Sequence, residues 1–266
     1  MDMQAPGSTA TVTGRLLATA PSRGQRTALA GGLTGRICYA DLAATIQAAA
    51  AGLAWRGLQP GDSVGVHVPD AACYVIAAHA IRAAGGVPSP VAPGLTVEEI
   101  AGQLGDCCAR LLLTGPPLEW AAQAAAELSL VRQVISFGEA PGTVQFSAML
   151  HMGTLQAQQG RPGDIALLPY ERAGTGALGR APVSHRDLFS LLSRLDTEVG
   201  IGETDVVLAG PPAGDALSYT ALIDLALLHG ATVAAAADDE HQATAVITQG
   251  DAEAAIRRLR VLPEVS

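Results

Sequence analysis

Apolar positions along the chain switch repeatedly between two rhythms. Leu42, Ile46, Ala49 and Leu53 recur at spacings of three and four, which predicts a helix over residues 42–56, opened by Tyr39-Ala-Asp41 and ended by Gly57. A turn at Gln59-Pro-Gly-Asp62 follows, and Ser63-Val-Gly-Val-His-Val68 predicts a strand with alternating faces. The same reading gives helices over 71–84, 96–104 and 118–128, interleaved with strands over 87–91, 110–114 and 133–137. Thr96 and Glu99 carry the signature of a capping box, each side chain satisfying an orphan N–H of the first turn. Further on come a buried strand over 164–168, a helix over 186–199 with Leu188, Leu191, Leu192 and Leu195 inward, a strand over 205–208, and a helix over 221–228 capped by Gly230. A strand over 232–236 and an amphipathic helix over 251–260 complete the pattern.

Upstream of these elements the sequence is less regular. Residues 1–14 are small and polar and are expected to be disordered. Residues 16–20 allow a helix start and 37–39 a short strand, with 23–35 as glycine-rich connection.

Strands alternating with helices predict an α/β fold of parallel sheets flanked by helices on both faces. The chain has 266 residues, enough for a sizeable core. The expected division is a disordered 1–14, a first α/β lobe over 15–195 and a partial second lobe over 196–266.

Between the strand ending at Leu168 and the helix beginning near Arg186 lies Pro169-Tyr-Glu-Arg-Ala-Gly-Thr-Gly-Ala-Leu-Gly-Arg-Ala-Pro-Val-Ser-His185. A glycine-bearing loop between strand and helix is the arrangement whose backbone N–H groups converge on phosphate. The run resembles the phosphate loop of the adenylate-forming family of acyl-CoA synthetases, aryl-CoA ligases and adenylation domains, Tyr-Ser-Ser-Gly-Thr-Thr-Gly-x-Pro-Lys-Gly continuing to Thr-His-Arg-Asn-Leu. The frame is kept at equal length from Tyr170 to Ser184-His185-Arg186-Asp187-Leu188. Tyr39-Ala-Asp-Leu42, the run ending in Gln59-Pro-Gly-Asp62, Arg82-Ala-Ala-Gly-Gly-Val-Pro88 and Leu95-Thr-Val-Glu-Glu-Ile100 resemble the same family in order and spacing.

Laid on that motif without gaps, the two serines fall on Glu171 and Arg172, the first glycine on Ala173, the first threonine on Gly174 and the lysine on Gly179. Thr175 and Gly176 are kept, and Arg180 stands one place beyond the lysine position. The resemblance therefore implies a degenerate phosphate loop formed by Arg172, Gly174, Thr175, Gly176 and Arg180, with Glu171 repelling triphosphate. A second family motif, Leu-Pro-x-Phe-His-x-x-Gly, lines the carboxylate-substrate pocket. Here the matching run has Gly214 for the aromatic, Asp215 for the histidine and Ser218 for the glycine. An acid facing a carboxylate substrate repels it. The resemblance further implies a chain shortened relative to the family, lacking its magnesium and adenine contacts, its ribose-binding aspartate and its lid.

Composition narrows the chemistry. All 16 cationic side chains are arginine, so lysine-based mechanisms are absent from this sequence. A formal charge of −9 argues against nucleic acid or an anionic membrane as partner. The most apolar stretches, 74–91 and 221–237, are interrupted by His79, Arg82, Asp224 and His229, which excludes membrane spans. No signal-peptide pattern opens the chain, so a cytoplasmic location is expected. Cys38, Cys73, Cys107 and Cys108 lack metal-ligand spacing, and the acidic run 238–240 lacks calcium-loop spacing, so no metal site is expected. His185 reads as packing at a helix start, His67 and His79 as satisfied core residues, and Trp55 and Trp120 as core or interface packing. Asp215, Ser218 and His229 include the residue types of a hydrolytic triad but lack a nucleophile-elbow sequence.

The functional expectation is a truncated acyl-CoA synthetase-like protein with no catalytic residues, a pseudoenzyme acting as a binding or assembly partner in a biosynthetic pathway, as a homodimer or a heteromer. The alternative is a residual or split acid-activating ligase that forms an acyl-adenylate or acyl thioester from ATP and a carboxylic acid. Only that alternative calls for ATP and magnesium, and a small-molecule carboxylate is the ligand it implies.

Overall fold

A computed structural model describes residues 11–158, 160–172, 178–212, 215–235, 243–249 and 254–258. The chain opens with helix α1 (Val12–Arg23), whose N-cap Thr11 accepts from the Gly14 N–H. Thr11, Val12 and Thr13, within the segment expected to be disordered, are buried. Strands β1 (Thr27–Ala30) and β2 (Ile37–Cys38) lead to α2 (Tyr39–Trp55). Then β3 (Ser63–His67), α3 (Ala71–Ala83), β4 (Val87–Pro90), α4 (Val97–Asp106), β5 (Leu111–Thr114), α5 (Glu119–Glu127), β6 (Gln133–Ser136) and β7 (Val144–Gln145) alternate as the periodicity predicts. Both halves of the Thr96/Glu99 capping box are made.

Strands β3 to β7 form a five-stranded parallel sheet in the order β4-β3-β5-β6-β7. Contrary to the expected alternation, β3 is buried on both faces from Val64 to His67. Gly65 explains this: a Cβ there would stand 2.5 Å from Leu104 Cδ2 and 2.7 Å from Leu112 Cδ1, so neighbouring side chains close over the strand.

After the short pairs described below, α6 (His185–Val199), β12 (Val206–Ala209), α7 (Ala216–His229), β13 (Thr232–Ala235), β14 (Ala245–Gln249) and β15 (Ala254–Arg258) follow. They build a second sheet in the order β15-β14-β12-β13-β1-β2, parallel in the middle and antiparallel at both edges. Two expectations change here. Residues 254–258 are a strand paired with β14 from Ala245↔Arg258 to Gln249↔Ala254, where a helix was expected. The division at 195 also does not separate the sheets, because β1 pairs in parallel with β13 through Leu29↔Val233.

One continuous core runs through both sheets. Every residue of α3 is buried, and in α7 everything from Ser218 to Leu228 is. Tyr74 of α3 meets Tyr219 of α7 edge-on, ring centroids 5.5 Å apart. The first helix is tied to the same core, because Arg23 Nη1 donates to the Leu227 carbonyl at 2.6 Å at the C-terminal end of α7, a favourable place for a cation. Packing against backbone is tight where Gly52 of α2 meets Met149: an added Cβ would lie 2.5 Å from Met149 Cβ and 2.7 Å from its carbonyl oxygen. Gly52→Ala is therefore expected to cost about 1–3 kcal/mol through displaced backbone, read as a lowered urea midpoint. An unchanged midpoint would show that this contact yields freely.

Candidate functional site

The stretch that resembles a phosphate loop folds as a two-tier antiparallel hairpin. Its inner tier pairs β8 (Ile165–Leu167) with β11 (Val183–Ser184), and its outer tier pairs β9 (Tyr170–Arg172) with β10 (Leu178–Arg180). The Leu168 N–H donates to the Pro88 carbonyl at 2.9 Å, which anchors the base of the hairpin to β4. Gly174, Thr175 and Gly176 lie outside the described residues. Arg172 pairs across the strands with Leu178, Glu171 with Gly179 and Arg180 with Tyr170.

The outer tier rests against the C-terminal end of α4. Arg180 Nε sits 3.1 Å from Asp106 Oδ2, and the Tyr170 hydroxyl donates to the same oxygen at 2.5 Å. The Tyr170 hydroxyl is pushed above its ordinary pKa by burial, then by the Asp106 carboxylate, so it remains a donor. A cavity of about 460 Å³ lies between hairpin and helix, lined by Glu99, Gln103, Asp106, Tyr170 and Arg180. Arg180, the cation nearest the family's lysine position, thus faces a carboxylate, and Glu171 is exposed on the strand beside it. Among the described residues the hairpin and its anchor set two carboxylates, Asp106 and Glu171, near Arg180.

At the start of α6, Ser184 and Asp187 form a capping box and His185 is the first helical residue. Burial, then the nearby Arg82, hold its imidazole at a pKa of about 4. His185 is neutral near pH 7 and packs inward, as expected for a helix start.

The second expected position is engaged locally too. Asp215 is the N-cap of α7, its Oδ1 accepting from the Leu217 N–H at 2.9 Å and the Ser218 N–H at 3.2 Å. Ser218 is buried in the first turn. Asp215 therefore fills the capping role its residue type favours, which holds the helix and leaves that oxygen committed. The residue types of a triad do not assemble either. His229 ends the same helix, about 16 Å of rise from Ser218, and its Nε2 pairs with Asp196 Oδ1 at 2.5 Å.

The sequence marks His79, Arg82 and Asp224 as interruptions of apolar stretches, and His79 as a satisfied core residue, but does not pair them; the fold brings them together. Asp224 Oδ2 receives Arg82 Nη1 at 2.9 Å, and Asp224 Oδ1 lies 3.2 Å from His79 Nε2. His79 Nδ1 is 2.9 Å from Thr13 Oγ1, and Arg82 Nε donates to the Ala166 carbonyl at 3.1 Å. Burial alone would raise the Asp224 carboxyl, but Arg82 and His79 outweigh it and hold it below the usual range. The signal in the sequence was three ionisable residues on two otherwise apolar helices, which burial permits only when they are paired. His67 is different. It is fully buried, both ring nitrogens lack partners, and burial lowers its pKa to about 4. Trp55 and Trp120 are 68% and 76% exposed, so neither is a core residue. Among the described residues no helix is long and apolar enough to cross a membrane, and no group of three or more His, Cys, Asp or Glu side chains could hold a metal ion.

Comparison with known proteins places this geometry. The family model of AMP-binding enzymes matches residues 16–259. The chain is 29% identical over 181 residues to phenyloxazoline synthase MbtB of Mycobacterium sp. (strain MCS), covering 67% of this chain and 14% of that protein. It superposes on apo MbtA of Mycobacterium smegmatis with a TM-score of 0.77 at 24% identity, covering 89% of this chain and 47% of the other. A long-chain-fatty-acid-CoA ligase (FadD1) of Archaeoglobus fulgidus gives a TM-score of 0.76 at 20% identity, covering 86% and 48%. The chain thus spans about half the length of these solved structures and a smaller share of the curated relative.

Proposed function

We infer that this chain, which belongs to the family of AMP-binding enzymes, is a non-catalytic member that serves as a binding or assembly partner for another protein or a second copy of itself. The observation that carries this reading is the clamp at the hairpin, where Asp106 takes both Arg180 and Tyr170. An exposed ion pair of this kind is weak, on the order of 1 kcal/mol or less. Its consequence lies in the charge balance, because a triphosphate approaching Arg180 also approaches Asp106 and Glu171, and the loop has no lysine. The α7 N-terminus adds no pull for a carboxylic acid, since Asp215 already occupies it. The assembly role is supported by surface character: Trp55, Trp120, Leu128 and Leu130 are large apolar side chains left more than half exposed, and aromatic residues of this kind are enriched in protein interfaces. The setting suggested by the relatives' names is the activation of carboxylic acids in biosynthesis.

The test is ATP–pyrophosphate exchange with aliphatic, aromatic and amino acids, alone and with co-purifying proteins. Exchange is expected to stay at the level of the heat-denatured chain, and magnesium-ATP is expected to leave the melting temperature unchanged. Exchange above that background would support the other reading, a residual or split acid-activating ligase, and overturn this one. Light scattering is expected to give a mass above that of the monomer.

A further inference from the structure

We propose that a pocket at the N-terminal ends of β3, β5 and β6 is a binding site for the phosphate group of a small phosphomonoester. The pocket, about 210 Å³, is lined by Arg56, Asp62, Cys108, Arg110, Arg132 and Gln133, among others. The elements dictate this convergence. Arg56 closes α2 as its C-cap, while Arg110 and Arg132 immediately precede β5 and β6, whose neighbouring starts bring the two side chains to one edge of the parallel sheet.

Charge and donor geometry select the ligand. The chain is acidic overall, at −9, yet three of its 16 arginines meet here. One carboxylate, Asp62, accompanies them, and its Oδ2 accepts from the Gln59 N–H at 3.1 Å. Two positive charges are left without a compensating acid in the lining, which is the charge that a phosphomonoester dianion cancels. Guanidinium forks favour an acceptor with several terminal oxygens, and a concave site of net positive charge attracts it. Arg56 is held ready: Nη1 donates to Gln133 Oε1 at 2.9 Å, the guanidinium carbon stands 5.8 Å from the centre of the Trp55 ring, and Nε is buried with no partner. At the rim Cys108 follows the C-cap of α4 with φ 55°, the left-handed residue of a cap in which the Ala109 N–H donates to the Leu104 carbonyl at 2.9 Å, so the end of α4 fixes this side of the pocket. A cavity of this size holds one phosphate and the start of its ester. The lining shares no residue with the hairpin, so this pocket does not depend on the function inferred above.

Calorimetry with O-phosphoserine and with inorganic phosphate tests the proposal, with glutamate and chloride as anion controls. O-phosphoserine is expected to bind at millimolar concentration or below, more tightly than glutamate, with affinity falling as salt rises. Arg110→Gln with Arg132→Gln, both exposed positions, is expected to weaken binding roughly ten-fold or more while leaving the melting temperature in place. Arg132→Gln alone serves should the double variant fold poorly. Cys108 is the exposed one of the four cysteines, so its alkylation, followed by mass spectrometry, is expected to slow when O-phosphoserine is present. Inorganic phosphate binding without O-phosphoserine binding would overturn the phosphomonoester assignment. So would equal affinity for glutamate, an unchanged affinity in the arginine variants, or no heat and no protection of Cys108.

Discussion

Asp224→Ala is expected to destabilise the protein by about 3–5 kcal/mol, which consumes most of the stability of a parent at the lower end of the usual range of about 5–15 kcal/mol. The carboxylate is fully enclosed between α3 and α7, 2.9 Å from Arg82 Nη1 and 3.2 Å from His79 Nε2. Removing it strands a guanidinium whose side chain is only 1% exposed and whose Nη2 already lacks a partner. The cost comes from the orphaned cation more than from the lost attraction. Replacing both members by apolar residues, Arg82→Met with Asp224→Leu, is accordingly expected to be much less harmful than Asp224→Ala alone. Urea denaturation of the two variants and the parent decides the matter. A double variant as unstable as the sum of its single changes would show that packing volume, not charge, governs this contact.

That network also shows where sequence reading stops. His79, Arg82 and Asp224 were visible as polar residues in apolar stretches, but their partnership spans 142 residues between Arg82 and Asp224 and depends on how two sheets share one core. Local signals fared better. The Thr96/Glu99 capping box and the helix stop at Gly230, φ 83°, are decided within a few residues. Strand β1 was read as connection because four residues between glycines carry little pattern, and its parallel partner β13 comes about two hundred residues later. The strand β15 was read as a helix because its apolar spacing suits either, and only pairing with β14 separates the two.

The hairpin divides in the same way. Its length and its strand-to-helix setting were legible from the equal spacing between Tyr170 and His185. That Arg180 would meet Asp106 was not, since the aspartate belongs to α4, 74 positions earlier in the chain. Asp215 could have been foreseen as a cap, because an aspartate directly before an apolar helix is an N-cap signal in its own right. Reading it only against the family's histidine hid that role.

Acidification from pH 6.5 to pH 4 is expected to remove several kcal/mol of stability, much of it above pH 5, where ordinary carboxylates are still largely ionised. His67 and His185 are both buried, and both are held at a pKa of about 4, burial being the main cause in each. At His185, Arg82 adds to the lowering while Asp164 and Asp224 oppose it. The unfolded chain binds these protons near the ordinary value of 6.5 and the folded chain does not. Their contribution is therefore complete above pH 6.5 and is lost as pH falls toward 4, each site costing on the order of 3 kcal/mol across that window. Asp224 acts in the same sense but lower on the scale: its depressed carboxyl contributes stability above its unfolded value and loses it as pH falls below that value, so most of its effect lies beneath the histidine window. His67→Leu isolates one site. It removes a ring with two unpartnered nitrogens from a fully buried position, so it is expected to stabilise the protein at neutral pH and to reduce the acid loss by about half. Urea midpoints measured at intervals between pH 7.5 and pH 4 for the parent and His67→Leu provide the check. Superimposable acid profiles would mean that His67 is already protonated, or hydrated, inside the fold.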